Sequence, residues 1–241
     1  MNYTSVFKRR ELKYILNENE LYAVKELIRR RTSPDEHGLS TVRSLYLDTD
    51  DYRIIRRSIE KPVYKEKIRL RSYSDVGECD SVFAEIKKKY KGVVYKRRIS
   101  LTYSEAIDWM AGGGMPVCGQ IAREIDYLIR FFGGIYPKAL IQCEREAYYD
   151  IEDREFRITF DKNIRADVVA PSLVNPIGGI PILSPALTVM ELKCVGGIPL
   201  WMVGILSELK LYKTSYSKYG TAYAELIYNK RNESREMLHN A

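Results

Sequence analysis

The feature that most constrains this chain is a two-residue alternation of charged and apolar side chains, repeated in six separate segments. In Lys67-Ile68-Arg69-Leu70-Arg71 the charges fall on every second residue. Because successive side chains of a strand point to opposite faces, the three cations share one face and the two aliphatic residues share the other. The alternation recurs at residues 11–13, 83–87, 144–146, 157–161 and 190–193. It predicts β-strands with one charged face and one apolar face.

The same pattern, extended along the chain, predicts an α+β fold. Strands are predicted at residues 7–16, 42–47, 65–73, 82–89, 93–101, 139–151, 156–166 and 187–195. Apolar residues at helical spacing predict helices at 17–31, 104–111, 121–132 and from Ser217 onward. Loops are predicted at 31–40, 75–80, 112–119 and 170–185. Eight strands with mostly short connections favour an eight-stranded antiparallel β-barrel or strongly curved sheet, with the helices packed outside, as a single domain over residues 1–241.

The charge balance indicates an anionic partner. The net charge is +7, from 39 Lys and Arg against 32 Asp and Glu, which suits nucleic acid, a membrane surface or a phosphorylated small molecule. One charged strand face would be ordinary solvated surface. Six such faces, with almost no neutral polar residue except Thr159, favour a charged lumen inside a barrel whose apolar outer face carries the helices.

A lumen rich in Arg and Lys calls for a bound polyanion, because confined like charges repel one another. Arginine forks and lysine point charges both suit phosphate oxygens. The interleaved Glu residues would repel phosphate, but they make sense if they hold a divalent cation that bridges to it. The combination predicts metal-assisted phosphoryl transfer.

Several other classes of site lack their signatures. Cys79, Cys118, Cys143 and Cys194 show no CxxC spacing, so reduced thiols are expected and no zinc site is predicted. The run 112–114 is not followed by the Lys-Ser/Thr of a P-loop, and no nucleic-acid-binding motif is present, so nucleic acid is not an expected partner. No signal peptide and no apolar run of ~20 residues is visible. We therefore expect a cytoplasmic protein without membrane insertion.

The charged strands also resemble a known family. The matching pieces are Arg9-Arg10-Glu11-Leu12-Lys13-Tyr14, Ser44-Leu45-Tyr46-Leu47-Asp48, Lys67-Ile68-Arg69-Leu70-Arg71, Phe83-Ala84-Glu85-Ile86-Lys87, Arg97-Arg98, Glu144-Arg145, Arg157-Ile158-Thr159-Phe160-Asp161, Met190-Glu191-Leu192-Lys193 and Tyr216-Ser217-Lys218-Tyr219. Each piece is weak alone, but their order and spacing over residues 6–228 are specific. The sequence resembles the VTC domain, the catalytic module of the vacuolar transporter chaperone complex, in a stand-alone form of the bacterial type. That domain belongs to the triphosphate tunnel metalloenzyme superfamily.

The resemblance implies an eight-stranded tunnel with one helix near a tunnel mouth, and polyphosphate synthesis from ATP with Mn²⁺ or Mg²⁺. By position, the implied catalytic residues are Lys13, Arg69, Arg71 and Arg145. The implied substrate-binding residues are Lys67, Lys87, Arg98, Arg157, Lys193, Ser217 and Lys218. Glu191 is the implied metal ligand, with Glu85 and Glu144 as further candidates.

One departure from the superfamily signature makes one of its known activities a weaker expectation for this chain. Its Glu-x-Glu-x-Lys signature stands here as Arg9-x-Glu11-x-Lys13, one carboxylate short, which weakens an RNA-triphosphatase interpretation. The leading hypothesis is a polyphosphate polymerase that binds ATP and polyphosphate. A tunnel triphosphatase acting on nucleoside or inorganic triphosphate, and a polyphosphate-binding module without catalysis, remain the alternatives. The sequence leaves the oligomeric state open.

Overall fold

The structure is a computed structural model that describes residues 6–176 and 178–229. The ends of the predicted domain, residues 1–5 and 230–241, lie outside the described residues. The strands are β1 Val6–Leu16, β2 Thr32–Asp48, β3 Tyr64–Ser72, β4 Ser81–Tyr90, β5 Val93–Thr102, β6 Tyr136–Asp150, β7 Arg157–Asp167, β8 Ile180–Pro181 and β9 Thr188–Cys194. The helices are α1 Glu18–Ile28, α2 Arg53–Ile59, α3 Tyr103–Met110, α4 Gln120–Phe132, α5 Leu200–Glu208 and α6 Lys218–Ala222, and a π-helical segment, Tyr223–Tyr228, continues α6.

The strands form a nine-stranded antiparallel sheet in the order β6-β2-β3-β4-β5-β1-β9-β7-β8. β6 pairs with β7 as well as with β2, so the eight long strands follow one another around a central cavity. The two-residue β8 pairs only with β7 and lies outside that order. The predicted antiparallel fold with external helices is confirmed, and the predicted eight-stranded barrel is approximated by this curved nine-stranded sheet.

The structure differs from the prediction at one loop and at two helices. Residues 31–40, predicted as a loop, belong mostly to β2, because the long β6 pairs with them on both sides of an irregularity between Pro34 and Leu39. Gly38 lies there at φ +54°, a conformation that suits a bulge. Two helices were not predicted. α2 is short, and α5 is apolar on nearly all sides, so it carries no amphipathic stripe to recognise.

The apolar outer face of the sheet lies under the helices, as the alternation predicts. α3 and α4 cover β2 to β5, where Trp109 packs fully buried in a cluster with Leu70 and Ile86. α1 and α5 cover β1, β7 and β9 through a second cluster that includes Leu192 and Met202. Burial on this outer side holds the helices in place and leaves the charged faces of the strands turned toward the cavity. None of the helices among the described residues is long and apolar enough to cross a membrane.

The C-terminal helix packs on the inner side of the sheet. α6 and the π-helical segment join a third apolar cluster with cavity-facing residues of β2 and β6, among them Val42 and Ile141. The ring of Tyr219 stacks on Tyr46 at 4.7 Å between centroids. One end of the cavity is therefore filled by α6, in agreement with a C-terminal helix near a tunnel mouth.

A single buried carboxylate joins β2, α2 and α6. Asp48 Oδ1 accepts hydrogen bonds from the backbone N–H groups of Thr49 and Ile54, both at 2.8 Å. Its Oδ2 accepts from the N–H of Ile55 at 2.9 Å and from the Tyr219 hydroxyl at 3.0 Å. Because Tyr52, at the start of α2, offers no capping side chain, Asp48 satisfies the free N–H groups of the second and third helical residues.

We predict that Asp48→Ala lowers the free energy of unfolding by about 3 kcal/mol, because it leaves several buried donors without an acceptor. Urea denaturation followed by circular dichroism measures the change. Asp50→Ala is the matched control, since the Asp50 side chain is 82% exposed and pairs only with Lys138 among the described residues. A loss no larger for Asp48→Ala than for the control would contradict this role.

Candidate functional site

The inner face of the sheet surrounds a cavity of about 350 Å³ with a strongly cationic wall. Twelve Lys and Arg side chains line it, against the three carboxylates of Glu11, Glu66 and Glu191. The lining cations are Lys13, Lys65, Lys67, Arg69, Arg71, Lys87, Lys89, Lys96, Arg145, Lys193, Lys213 and Lys218. Most come from alternate positions of β1, β3, β4, β5 and β9, so the two-residue alternation of the sequence builds this wall directly.

The strand register arranges these charges in rows across the sheet. Lys67 of β3 lies opposite Lys87 of β4, which lies opposite Lys96 of β5. In the next row Glu85 lies between Arg69 and Arg98. Since like charges directly opposite one another destabilise a sheet, such a wall needs compensating carboxylates, and the structure supplies them at three places.

Glu85 is the first of these carboxylates. Its Oε2 accepts from Arg69 Nε at 2.8 Å, and the Lys96 ammonium contacts Oε1. Arg71 NH1 lies 3.8 Å from Oε2. Burial opposes ionisation, but the charges of Arg71, Arg69 and Lys96 hold the pKa of Glu85 well below its usual range. The Glu85 side chain is fully buried beneath three cations, a geometry that favours the positioning of those cations over the metal binding predicted from the sequence.

Asp161 is the second, and the sequence analysis did not single it out as a site residue. Arg145 Nε donates to its Oδ1 at 2.6 Å and Arg145 NH2 to its Oδ2 at 2.7 Å, a bidentate pair. The Lys218 ammonium also contacts Oδ2. Burial opposes ionisation, but Arg145 and Lys218 hold the pKa of Asp161 well below its usual range. Asp161 therefore joins β6, β7 and α6 at the cavity wall. The sequence signal for an inward-facing Asp161 was its position at the end of the alternating segment 157–161.

Glu191 and Glu11 form the third group, on the neighbouring strands β9 and β1. Glu191 lies 3.1 Å from the Lys193 ammonium and 3.6 Å from that of Lys13, while Lys87 Nζ donates to Glu11 at 2.6 Å. Burial would raise the pKa of Glu191, but Lys193 and Lys13 hold it well below its usual range. Burial and the charge of Glu191 act to raise the pKa of Glu11. The charge of Lys87, with that of Lys193, outweighs them, so the pKa lies below its usual value. The two carboxylates thus lie within electrostatic range of each other in the cavity.

This pair fits the donor chemistry of Mg²⁺ or Mn²⁺. Such ions are bound through one or two carboxylates together with substrate phosphates and water. Within residues 6–176 and 178–229, no three His, Cys, Asp or Glu side chains lie together as a metal site, so Glu191 and Glu11 would share the ion with a bound phosphate. Glu144 does not line the cavity, because its neighbours Cys143 and Arg145 take the inward positions of β6.

The C-terminal segment brings Ser217 and Lys218 to the cavity, where the resemblance implied them. Lys67 Nζ donates to Ser217 Oγ at 2.7 Å, and Lys13 Nζ donates to the backbone carbonyl of Tyr216 at 2.8 Å. Arg98 and Arg157 do not line the cavity. The Arg98 guanidinium lies 4.6 Å from the centre of the Phe83 ring, and Arg157 is exposed opposite Lys193.

Some of the cavity side chains titrate near neutrality. Burial lowers the pKa of Lys67 and of Lys96 to about 7, and neighbouring cations add to the effect. Tyr46 also lines the cavity. Burial acts to raise its pKa, but the charges of Arg69, Lys67 and Arg71 lower it to about 7. Neither Lys96 nor Tyr46 was predicted from the sequence as a site residue. Burial and the crowding of cations in the wall therefore both disfavour the charged form of Lys67 and Lys96.

A curved antiparallel sheet around such a wall defines a protein of the triphosphate tunnel class. The model of the VTC domain family matches residues 8–227, so this chain belongs to the VTC domain family, as the resemblance implied. No curated protein matches the sequence significantly.

Solved structures share the fold. A candidate adenylate cyclase from Bacillus halodurans is 12% identical, with a TM-score of 0.56 over 89% of this chain and 96% of its own. A candidate adenylyl cyclase from Hippeastrum, described as having a dominant triphosphatase activity, is 13% identical, with a TM-score of 0.54 over 90% of this chain and 95% of its own. At these identities the likeness concerns the fold alone.

We predict that Asp161→Asn lowers the free energy of unfolding at pH 7 by about 3 kcal/mol, because it leaves Arg145 and Lys218 buried without their carboxylate. The folded-state pKa of Asp161 lies below its unfolded value. Its stabilisation is therefore complete above about pH 4 and is lost as the pH falls toward the folded value. Denaturant titrations of both proteins between pH 7 and pH 3 should show the difference shrinking.

The control for this variant is Asp75→Asn, since the Asp75 side chain is 91% exposed where it pairs with Arg43. This control substitution should lower the free energy of unfolding by less than about 1 kcal/mol. A difference between wild type and Asp161→Asn that is independent of pH would argue against the ionised clamp.

Proposed function

We propose that this protein is a metal-dependent polyphosphate polymerase, which transfers the terminal phosphoryl group of ATP to a polyphosphate chain inside the cavity. The observation that carries the proposal is the cavity wall, with twelve cations against three carboxylates in a protein of the VTC domain family. A linear phosphate chain is the anion that suits such a wall along its whole length.

The arginines are oriented before any ligand arrives. Glu85 fixes the guanidinium of Arg69, and Asp161 fixes that of Arg145 through two bonds. Ser44 Oγ accepts from Arg71 Nε at 3.2 Å. Donors fixed in advance stabilise charge developing in a transition state without reorganisation cost. Arg69, Arg71 and Arg145, with Lys13, are the groups that we assign to this task.

The lysines bind and guide the chain. Lys67, Lys87 and Lys193 lie on the inner face beside the arginines, and Ser217 and Lys218 approach from the C-terminal segment. Each lysine gives a compact charge that suits a phosphate oxygen without fixing its direction.

Glu191, together with Glu11, would hold Mn²⁺ or Mg²⁺, and the ion would supply neutralisation of phosphate charge. Lys13 and Lys193 keep Glu191 ionised and facing the cavity. In the reaction, an oxygen of the terminal phosphate of the acceptor chain forms a bond to the γ-phosphorus of ATP. The bond from that phosphorus to the β–γ bridging oxygen breaks, and ADP leaves. The acceptor oxygen is already ionised, so no general base is required.

The test is incubation of the purified protein with ATP and Mn²⁺, followed by electrophoresis with a stain for polyphosphate. We expect chains that lengthen with time and ADP in matching amount. Free phosphate without chains would overturn the polymerase and support a triphosphatase, the activity described for the Hippeastrum protein. Neither product, together with tight polyphosphate binding, would support a binding module.

We predict that Glu191→Gln lowers turnover at least about 100-fold, because a metal bridge contributes several kcal/mol and each 1.36 kcal/mol is a factor of ten. Initial rates at several Mn²⁺ concentrations measure the loss. Glu144→Gln is the matched control from the same set of sequence-predicted metal ligands, and it should stay within about twofold of wild type. Equal rates for wild type and Glu191→Gln would exclude the metal role of Glu191.

A further inference from the structure

The cations of the cavity wall fall into two groups. Deep in the cavity, a carboxylate holds most of them: Glu85 contacts Arg69 and Lys96, and Asp161 contacts Arg145 and Lys218. At the end where β3 begins and β4 ends, Lys65 and Lys89 also line the cavity. Within the described part of the chain, neither ammonium lies in an ion pair. The Lys65 ammonium donates only to the backbone carbonyl of Ser58, at 3.2 Å.

This pair is electrostatically uncompensated. Lys65 and Lys89 lie directly opposite each other in the β3–β4 register, an arrangement that destabilises a sheet. Burial lowers the pKa of Lys65, and the charges of Lys89 and Lys61 lower it further. Glu66 also reaches the cavity lining, where its carboxylate accepts from the Tyr64 hydroxyl at 2.6 Å. Among the described residues, no carboxylate lies within ion-pair distance of either ammonium group.

The position of the pair indicates which anion. Along the strands it lies two residues from the row of Lys67 and Lys87, roughly 7 Å by the rise of a strand. The adjoining residues Tyr64 and Tyr90 are 41% and 46% exposed, so this row lies at the opening of the cavity. A phosphate chain longer than the deep rows can hold would pass it next.

The side-chain types separate the two rows further. The deep wall contains Arg69, Arg71 and Arg145, whose planar forks fix the direction of a phosphate group. The opening carries lysines, which are rotatable point charges and tolerate a ligand that shifts along the cavity. A row of free lysines suits the part of a chain that moves as it lengthens.

We propose that Lys65 and Lys89 form a second phosphate subsite, the mouth subsite, which binds phosphate groups of a linear polyphosphate beyond those held in the deep rows. This proposal rests on the proposed function, and it adds a preference for long chains over triphosphate. It also accounts for a like-charge pair that folding alone gives no reason to keep.

The test compares two ligands on one variant. Titration calorimetry would measure the binding of tripolyphosphate and of long-chain polyphosphate to wild type and to the double variant Lys65→Gln/Lys89→Gln. We expect the double variant to bind the long chain about tenfold more weakly than wild type, as the loss of two partly exposed contacts would give. Its affinity for tripolyphosphate should change by no more than about twofold. The matched control, Arg123→Gln/Lys162→Gln, removes the same charge from outside the cavity lining and should weaken both ligands slightly and equally.

Two outcomes would overturn the mouth subsite: an equal loss for both ligands, which indicates only a general field, or no loss for the long chain. The melting temperature of the double variant should match or exceed that of wild type, because the repulsion is relieved. If the double variant does not fold, the single variant Lys89→Gln, in the cavity lining, tests the same preference with a smaller loss.

The two proposals fail separately. Wild-type protein that makes no chains from ATP, yet binds long chains more tightly than tripolyphosphate through Lys65 and Lys89, would remove the polymerase and leave the subsite. Wild-type protein that makes chains but shows no preference between the ligands would remove the subsite and leave the polymerase.

Discussion

Two buried carboxylates, Glu85 and Asp161, are the constraint on which the cavity depends. Between them they contact Arg69, Arg71, Lys96, Arg145 and Lys218. Removing so many cations from water is costly unless each finds a partner. The carboxylates make the cationic wall compatible with folding, and they fix the directions in which the remaining N–H groups point. Stability and the proposed recognition of phosphate therefore rest on the same contacts.

The outer face of the sheet determines that these charges face inward. Helices α1, α3, α4 and α5 need apolar surface, and the alternation supplies it on the outer side of the strands that these helices cover. Burial of that surface leaves the charged side no alternative to the cavity. α6 is the exception, since it packs on the inner side and is held there by Asp48 through Tyr219 and by Asp161 through Lys218. The helix that fills one end of the cavity therefore contacts the same carboxylate, Asp161, that orients Arg145 in the wall.

Features that depend only on the local alternation of side chains can be predicted from the sequence. Features that depend on pairing with a distant strand cannot. The inward placement of Arg69 and Arg71 follows from a local period of two, and it is confirmed. The same period places Glu144 and Arg145 on opposite faces, so the two could not both face the cavity, and the structure chooses Arg145. The strand character of residues 32–40 depends on pairing with β6. The alternation places Asp161 on the inner face, but its contacts depend on β6, which supplies Arg145, and on α6, which supplies Lys218, and no local pattern indicates these partners.

Four of the inner carboxylates differ in how firmly cations hold them, and this difference supports the proposed choice of Glu191 and Glu11 as the metal ligands. Glu85 has three cations and Asp161 has a bidentate arginine and a lysine. Glu191 has only lysines, at 3.1 and 3.6 Å, and it repels Glu11 across the β1–β9 pair. A divalent ion held by Glu191 and Glu11, as proposed, would offset that repulsion, and the neighbouring ammonium groups can rotate away. At Glu85 or Asp161 the same ion would break oriented guanidinium contacts, which supports the proposed assignment of the metal to the β1–β9 side of the cavity.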